Sequence, residues 1–370
     1  NLARNLIFKQ IKRGKVKIIS NINFSENNPQ NIKYIINGYV KDAEIKLLNQ
    51  SKIEKIKFNF FVDQDFINLN KIELEFDKIF VTSEKVNIKK INNYFNISGN
   101  FKTNKTKINL KNYTKLINTN LDLIDDRPIN LSSDNELSFK INKKLNIKDL
   151  SITSKLNFDE LFSNSKYQDL IYLKNGNILI NYINEELKID LNSNFIFQNN
   201  KNNNNKTKNL INIVYKKKQN KDATVNIDLS NTKSKINSKE FKRFVKFKNF
   251  SFQNQDIIFA SENLINFKLN KKNEIKNFNI KSKLKSESIL IDYKSQRIKK
   301  YFSDFKNQIK LSNSYLDLDY KNKKFTFNLK SKYSINNTNE NVSLNVKKKD
   351  NKYFFVLDLE LDSAEIDIEE

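Results

Sequence analysis

The sequence predicts an all-β, mainly antiparallel protein: a long, twisted, curved β-sheet of repeated units forming an open apolar groove, with one or two short helical insertions. Three observations predict it. Apolar and polar residues alternate along most of the chain, short Asn/Lys-rich turns separate the alternating runs, and no regular succession of strands with crossover helices occurs.

The alternation is plain in each run. Ile56, Phe58, Phe60 and Val62 are interleaved with Lys57 and Asn59, and Leu137, Phe139 and Ile141 with Ser138 and Lys140. Ile178, Ile180 and Tyr182, then Leu187, Ile189 and Leu191, then Val225, Ile227 and Leu229 repeat the pattern. So do Leu316–Tyr320, Phe325–Leu329, Val342–Val346 and Phe355–Leu361. Side chains alternate across a strand, so each run has one apolar and one largely polar face. Asn142-Lys143-Lys144, Asn184-Glu185-Glu186 and Lys321-Asn322-Lys323-Lys324 read as turns. With 4 Gly and 2 Pro in the chain, Asn must supply most of the left-handed backbone that tight turns need. Parallel pairing needs long crossovers, so meandering antiparallel strands are expected.

Two segments read as the helical insertions. Phe158 to Leu173 carries Leu161, Phe162, Leu170 and Ile171, and Gln296 to Ile309 carries Ile298, Tyr301, Phe302 and Phe305 at helical spacing. Residues 199–209 (NNKNNNNKTKN) are of low complexity and read as a flexible loop. That divides the chain into a first β portion, 1–198, and a second, 210–370. Residues 335–341 (INNTNEN) read as a shorter loop. Asn1 in place of an initiator Met suggests a processed chain or a segment of a longer one.

Composition bounds the function. Hydrophobic residues make up 38% and charged residues 29%, yet 29 Phe and 14 Tyr are more aromatics than a disordered chain carries. The absence of Cys excludes disulfides and thiolate metal sites. The absence of His removes the Ser-His-Asp triad, the Cys-His dyad and most zinc hydrolase sites. No GxxxxGK or GxGxxG occurs. Asp125-Asp126, before Arg127-Pro128, reads as a turn rather than an acid/base pair, and Asp317 and Asp319 fall on the polar phase of a strand rather than marking a cation site. An enzyme is therefore not expected, nor a cofactor or metal.

The net charge of +25 comes from 67 Lys/Arg against 42 Asp/Glu. Lys is the general polar residue here, so the charge reads first as solvated strand faces and second as attraction for an anionic partner. Phe241-Lys242-Arg243-Phe244-Val245-Lys246-Phe247-Lys248-Asn249-Phe250 interleaves bases with aromatics. In an extended strand Phe241 and Phe247 point opposite to Phe244 and Phe250, so they make no single stacking platform. Specific nucleic-acid binding is not expected. The acidic stretch from Asp358 reads as a solvated face, then as a docking edge for a basic neighbour. No stretch reaches the roughly 20 apolar residues that span a bilayer.

The segments INGYVKDAEIKLLNQ (36–50), IEKIKFNFFVDQDFINLNKIELEF (53–76) and VNIKKINNYFNISGNFK (86–102) resemble the AsmA-like family, with Gly38, Asp42 and Ala43 in a G-x-V-x-D-A opening and Gly99 ending the last strand of the order. The later phrases IKDLSI (147–152), FKNFSF (247–252) and IKNFNI (275–280) echo one element of that order, as an internal repeat would. The resemblance implies a repeating β-groove, anchored in the inner membrane by a segment outside this chain, that crosses the periplasm and carries phospholipid toward the outer membrane with envelope-protein partners at both ends. The acyl-contacting residues would be Phe58, Phe60, Val62, Leu74, Phe76, Leu137, Phe139, Ile178, Ile180, Ile189, Leu191, Leu316, Leu318, Phe325, Phe327, Leu329, Leu357 and Leu359. Other functions compatible with these residues are a ligand-free, adhesin-like β-sandwich and a polyanion-binding β protein; a transmembrane barrel fits the abundant Lys poorly.

Overall fold

The structure is a computed structural model, and it describes residues 11–25, 28–46, 52–109, 127–144, 146–162, 171–197, 209–239, 251–253, 255–293, 305–335, 339–349 and 352–360. Nearly all of them are antiparallel β-strand, as the alternation predicts. The only helical backbone among the described residues is at Ser238–Lys239.

The chain divides into two compact units. The first holds β1 (Ile11–Ser25), β2 (Asn28–Lys46), β3 (Lys52–Val62), β4 (Phe66–Phe76), β5 (Ile79–Ile91), β6 (Tyr94–Ile108), β7 (Ile129–Asn142) and β8 (Ile147–Phe162) as far as Glu160. Each pairs antiparallel with its successor, giving a meander. Asn175–Ile189, from β9 (Ile171–Ile183) and β10 (Glu186–Phe197), also belongs to it.

The second unit holds the remainder of β9 and β10, then β11 (Asn209–Lys218), β12 (Ala223–Asn237), β13 (Ser251–Phe252), β14 (Asp256–Leu269), β15 (Ile275–Asp292), β16 (Gln308–Lys321), β17 (Lys324–Ser334), β18 (Glu340–Lys349) and β19 (Lys352–Leu359). From β11 it too is a meander, except that β12 pairs with β14, and the short β13 pairs with the end of β15. Its core is Phe195, Phe197, Ile236 and Ile257, with Ile171, Leu173, Ile211, Leu229, Phe259 and Ile289 packed around them.

Turn chemistry follows from composition. Asp77-Lys78, Asn184-Glu185 and Asn322-Lys323 are two-residue connections with positive φ at both positions, the mirror-image turn that matches strand twist. None contains Gly. Asn142 closes the β7–β8 turn by accepting the N–H of Lys144 and of Asn146 on its side chain, 2.9 Å each.

Within the strands, one six-residue phrase sets the geometry. VKDAEI (40–45), IEKIKF (53–58), LNKIEL (69–74), IKDLSI (147–152), LKNGNI (173–178), IKNFNI (275–280) and LSNSYL (311–316) each have a left-handed residue third. These are Asp42, Lys55, Lys71, Asp149, Asn175, Asn277 and Asn313, all with φ between 51° and 54°. A left-handed residue inserted in a strand resets the alternation and bends it. The first, fourth and sixth residues then share a face, although their spacing is odd. The β2–β3 ladder shows the result: Val40 opposes Phe58, Ala43 opposes Ile56, and Ile45 opposes Ile53.

The expected helix at Phe158 to Leu173 is corrected. Phe158–Phe162 ends β8 and Ile171–Leu173 begins β9, where Ile171 and Leu173 pack on the core of the second unit and Phe162 stacks on Tyr172 at 5.1 Å. Leu161, Phe162 and Ile171 of the apparent helical stripe thus lie in two strands, and residues 163–170 between them lie outside the described residues. Of Gln296 to Ile309, residues 296–304 lie outside the described residues, and Gln308–Ile309 begin β16. Of the two predicted loops, Asn209 starts β11 and Glu340–Asn341 start β18, while residues 199–208 and 336–338 lie outside the described residues.

Candidate functional site

The candidate site is the apolar face of each unit, and cross-strand register defines it. In the first unit one row runs Ile18, Gly38, Phe60, Leu69, Val86, Gly99, Leu137, Ile152, each residue directly opposite the next. A second row runs Ile36, Val62, Ile67, Ile88, Ile97, Phe139. Opposed residues of an antiparallel pair lie on one face. Phe58 opposes Val40, Leu74 opposes Val81, and Phe76 lies between Ile53 and Ile79. Gly38 and Gly99 sit in the first row because their neighbours fill the space of a side chain: a Cβ on Gly38 would run into the Lys17 carbonyl oxygen and the Phe60 ring, and one on Gly99 would fall 2.7 Å from Cγ2 of Val86.

The second unit has three such rows. One is Ile213, Ile227, Ile265, Ile280, Tyr320, Phe325. The next is Ile211, Leu229, Asn263, Ser282, Leu318, Phe327, Val346, Phe355. The third is Asn209, Asn231, Ser261, Leu284, Leu316, Leu329, Leu344, Leu357.

Of the predicted contact residues, Phe60, Val62, Leu137, Phe139, Leu316, Leu318, Phe325, Phe327, Leu329 and Leu357 stand in these rows. Phe58, Phe60, Val62, Leu74, Phe76, Leu137, Phe139, Leu316, Leu318, Phe325, Phe327 and Leu329 are all half-buried. So are Ile178 and Ile180 on β9 and Ile189 and Leu191 on β10. Leu357 and Leu359, on β19, are exposed at 56% and 48%. A closed two-layer core would bury such positions.

The other face is ionic. Lys55 pairs with Glu75 at 2.6 Å, Lys57 with Glu73 at 3.2 Å, Lys102 with Asp134 at 3.6 Å and Lys140 with Asp149 at 2.7 Å in the first unit. In the second, Lys281 pairs with Asp319 at 3.7 Å, and Asp317 stands opposite Lys283. The hydrogen bond and charge of Lys140 hold Asp149 below the ordinary carboxylate range. Both strand aspartates that could have marked a cation site thus face lysines. Among the described residues no group of three or more His, Cys, Asp or Glu could hold a metal ion. Asp125-Asp126 and Phe241–Phe250 lie outside the described residues. A cavity of about 430 Å³ opens at the bulged segments of β12 and β16, with the Lys233–Glu287 pair (2.9 Å) among the residues that line it. No described helix is long and apolar enough to cross a membrane.

One feature of the apolar faces escapes pattern reading: a polar seam set into each. Asn135 donates to the Phe101 carbonyl (3.1 Å) and to Ser133 Oγ (2.7 Å), and its Oδ1 accepts from Ser154. Asn263 donates to the Leu229 carbonyl (3.1 Å) and to Ser261 Oγ (3.0 Å), and its Oδ1 accepts from Ser282. Asn231 donates to the Phe259 carbonyl at 2.7 Å and accepts from Ser261. Each Asn uses both ends of its amide, so the seam lies on an apolar face with its polar groups partnered.

The matching bonds have a cause in the sequence. INLSSDNELSFKINKKLNIKDLSITSKL (129–156) and IIFASENLINFKLNKKNEIKNFNIKSKL (257–284) align without a gap and agree at half of their positions. The β7–β8 and β14–β15 hairpins share the seam, the left-handed bulge at Asp149 or Asn277, and the Asn-closed turn, where Asn270 accepts the N–H of Lys272 and of Glu274. The two hairpins, one in each unit, thus match in sequence and in bonding. The signal was the Ser-x-Asn phrase followed by Ser on the next strand.

Comparison with protein-family models, with curated proteins and with solved structures found no match to this chain.

Proposed function

We propose that this chain is a non-catalytic, bridge-like lipid-transfer protein that carries phospholipid acyl chains along its apolar β face between the inner and outer membranes of a Gram-negative envelope. On this proposal it works in the periplasm, with envelope proteins at both membranes, and its anchor is supplied by sequence outside this chain.

The observation that carries the proposal is the set of adjacent apolar cross-strand rows whose side chains stay half-exposed. Leu316, Leu318, Phe327 and Leu329 line two neighbouring rows across β16 and β17, yet none of them is fully buried. Apolar area of that extent needs a partner. Each acyl CH2 taken from water onto such a face gains about 0.8 kcal/mol. A face built of repeated rows offers similar contacts along its length, so a chain could slide without one deep site. The lysine-rich opposite face keeps the protein hydrated. The resemblance of residues 36–102 to AsmA-like proteins supports the same reading.

The test is lipid extraction and native mass spectrometry of the purified chain, beside a Leu318→Asp/Phe327→Asp variant. Co-purifying phospholipid that the variant loses is the expected result. A wild-type chain that is lipid-free and takes up no acyl probe from vesicles overturns the proposal. Retention of RNA or heparin in its place would favour a polyanion binder.

A further inference from the structure

Beside the β14–β15 turn Lys268 stands directly opposite Lys276, and beside the β16–β17 turn Lys321 stands directly opposite Lys324. The meander reverses twice between these turns, so both lie on one edge of the second unit, two strand spacings or about 10 Å apart. Like charges directly opposed in a ladder repel. All four lysines are exposed, and among the described residues none has a carboxylate at ion-pair distance.

The matching hairpin of the first unit shows what is different. There Lys140 stands opposite Lys148, but Asp149, next along the strand, pairs with Lys140 at 2.7 Å. The corresponding residue of the second unit is Asn277, with φ 51° against 52° for Asp149. The backbone is kept and the acid is replaced by an amide. Glu274, the acid of the β14–β15 turn, is engaged by Asn270 at 2.6 Å.

A cavity of about 390 Å³ opens at the second pair, lined by Asp319, Lys321, Asn322, Lys324 and Thr326. Asp319 is the one acid in its wall, and Lys281 pairs with it at 3.7 Å. Thr326 stands opposite Lys347 on the next strand, a third lysine with no carboxylate partner among the described residues. The wall therefore offers two ammonium groups, a hydroxyl and an amide, with another ammonium beside it.

We propose that this cavity is a phosphate-binding site, in which Lys321 and Lys324 hold the phosphate of a lipid headgroup or of a soluble phosphate ester, and that Lys268 and Lys276 hold a second phosphate on the same edge. An anion between opposed ammonium groups turns their repulsion into two attractions. Lysine binds phosphate as a compact charge with three donors. A carboxylate is met best by the arginine fork, and among the described residues of the second unit there is no Arg. A water takes about 30 Å³ of liquid, so the cavity has room for a phosphate and part of the group it esterifies. Lys321 and Lys324 adjoin Tyr320 and Phe325 of the apolar row but fall in the opposite phase. The site is thus on the polar face, and it does not depend on acyl binding.

Titration calorimetry of the full chain with glycerol phosphate at low salt, and flotation with phosphatidylglycerol or phosphatidylcholine vesicles, test the site and separate its two sources. Binding that weakens as salt rises is expected. Lys321→Gln/Lys324→Gln should weaken it at least several-fold, while Lys143→Gln/Lys144→Gln in the first unit leaves it unchanged. Asn277→Asp, which restores the acid of the first unit, should also weaken it. Capture of phosphatidylglycerol vesicles without the soluble ester assigns a lipid phosphate; binding of the ester assigns a free one. Leu318→Asp/Phe327→Asp should keep phosphate binding, which separates failure of this site from failure of lipid transfer. No binding of either probe overturns the proposal. So does binding that the Lys321→Gln/Lys324→Gln variant leaves unchanged, and so does RNA that displaces both probes whether or not those lysines are present. Circular dichroism of each variant separates loss of the site from loss of the fold.

Discussion

The ring of Phe158 fills the space that a side chain on Gly176 would need: a Cβ there would lie 2.0 Å from Cζ of the ring. Phe158 is 4% exposed and Gly176 is buried beneath it. The glycine belongs to LKNGNI, one of the bulge phrases, and follows the left-handed Asn175. Gly176→Ala is expected to lower stability by about 1–3 kcal/mol through overpacking. Adding Phe158→Leu should return part of that loss. Urea denaturation of the two single variants and the double variant checks it; additive losses would mean that the two residues do not compete for the same volume.

The left-handed position of the bulge makes a second prediction. Asn277 has φ 51°. Asn277→Gly should stay within about 1 kcal/mol of the parent, because Gly adopts that conformation freely but gains freedom when unfolded. Asn277→Val should lose about 1–2 kcal/mol, since a β-branched side chain meets its own backbone there. Thermal melts of the pair decide the matter. Equal losses for Gly and Val would show that the Asn side chain matters and the backbone conformation does not.

The polar seam gives a third. Asn231 is 5% exposed and is bonded to Ser261 and to the Phe259 carbonyl. Asn231→Ala should cost about 1–3 kcal/mol, because the Ser261 hydroxyl and the carbonyl lose their partner inside the sheet. Removing the serine as well, in Asn231→Val/Ser261→Ala, should recover part of the loss. A double variant less stable than either single one would contradict this account.

The Lys140–Asp149 pair sets a pH expectation. Asp149 is depressed below the ordinary carboxylate value by the hydrogen bond and charge of Lys140, and Lys140 is raised by the same bond. The contribution of the carboxylate is therefore present above its unfolded value and is lost as pH falls through the depressed one. That of the ammonium is present below its unfolded value and is lost as pH rises through the raised one. An NMR titration should place Asp149 below an exposed aspartate, and Lys140→Met should bring it back toward the ordinary value. An unmoved titration curve would show that the pair does not persist in solution.

Strand content and turns were legible because alternation and Asn-rich turns are local signals; Phe58-Asn59-Phe60 and Asn322-Lys323 look as they fold. The bends were not. In IKDLSI and IKNFNI the third residue is Asp or Asn, and in IEKIKF it is Lys, so no glycine marks the left-handed position. The phrases were visible as a repeat, but their recurrence follows equally from the bulge each one builds. The apolar rows through Phe60, Leu137, Leu318 and Phe327 could be read from the alternation, because each run keeps its phase between bulges. The seam was hidden for the opposite reason. Ser133, Asn135, Asn231 and Asn263 stand in apolar phase and read as turn-forming composition, and only the register shows their amides and hydroxyls meeting. The core around Phe195 and Ile257 depends on contacts between distant strands, which periodicity does not report.

The six-residue bulge phrase has a consequence for how such a chain can change over generations. In an uninterrupted strand, gaining or losing one codon turns every later side chain to the wrong face. Here the alternation is already restarted inside many strands, at a left-handed Asp, Asn or Lys. A one-residue insertion or deletion beside such a point has a nearby place to be absorbed. The β7–β8 and β14–β15 hairpins carry the same bulge although half of their aligned residues differ, and strands along the chain vary in length. Length drift, ruinous to most sheets, becomes a tolerated form of variation in this one.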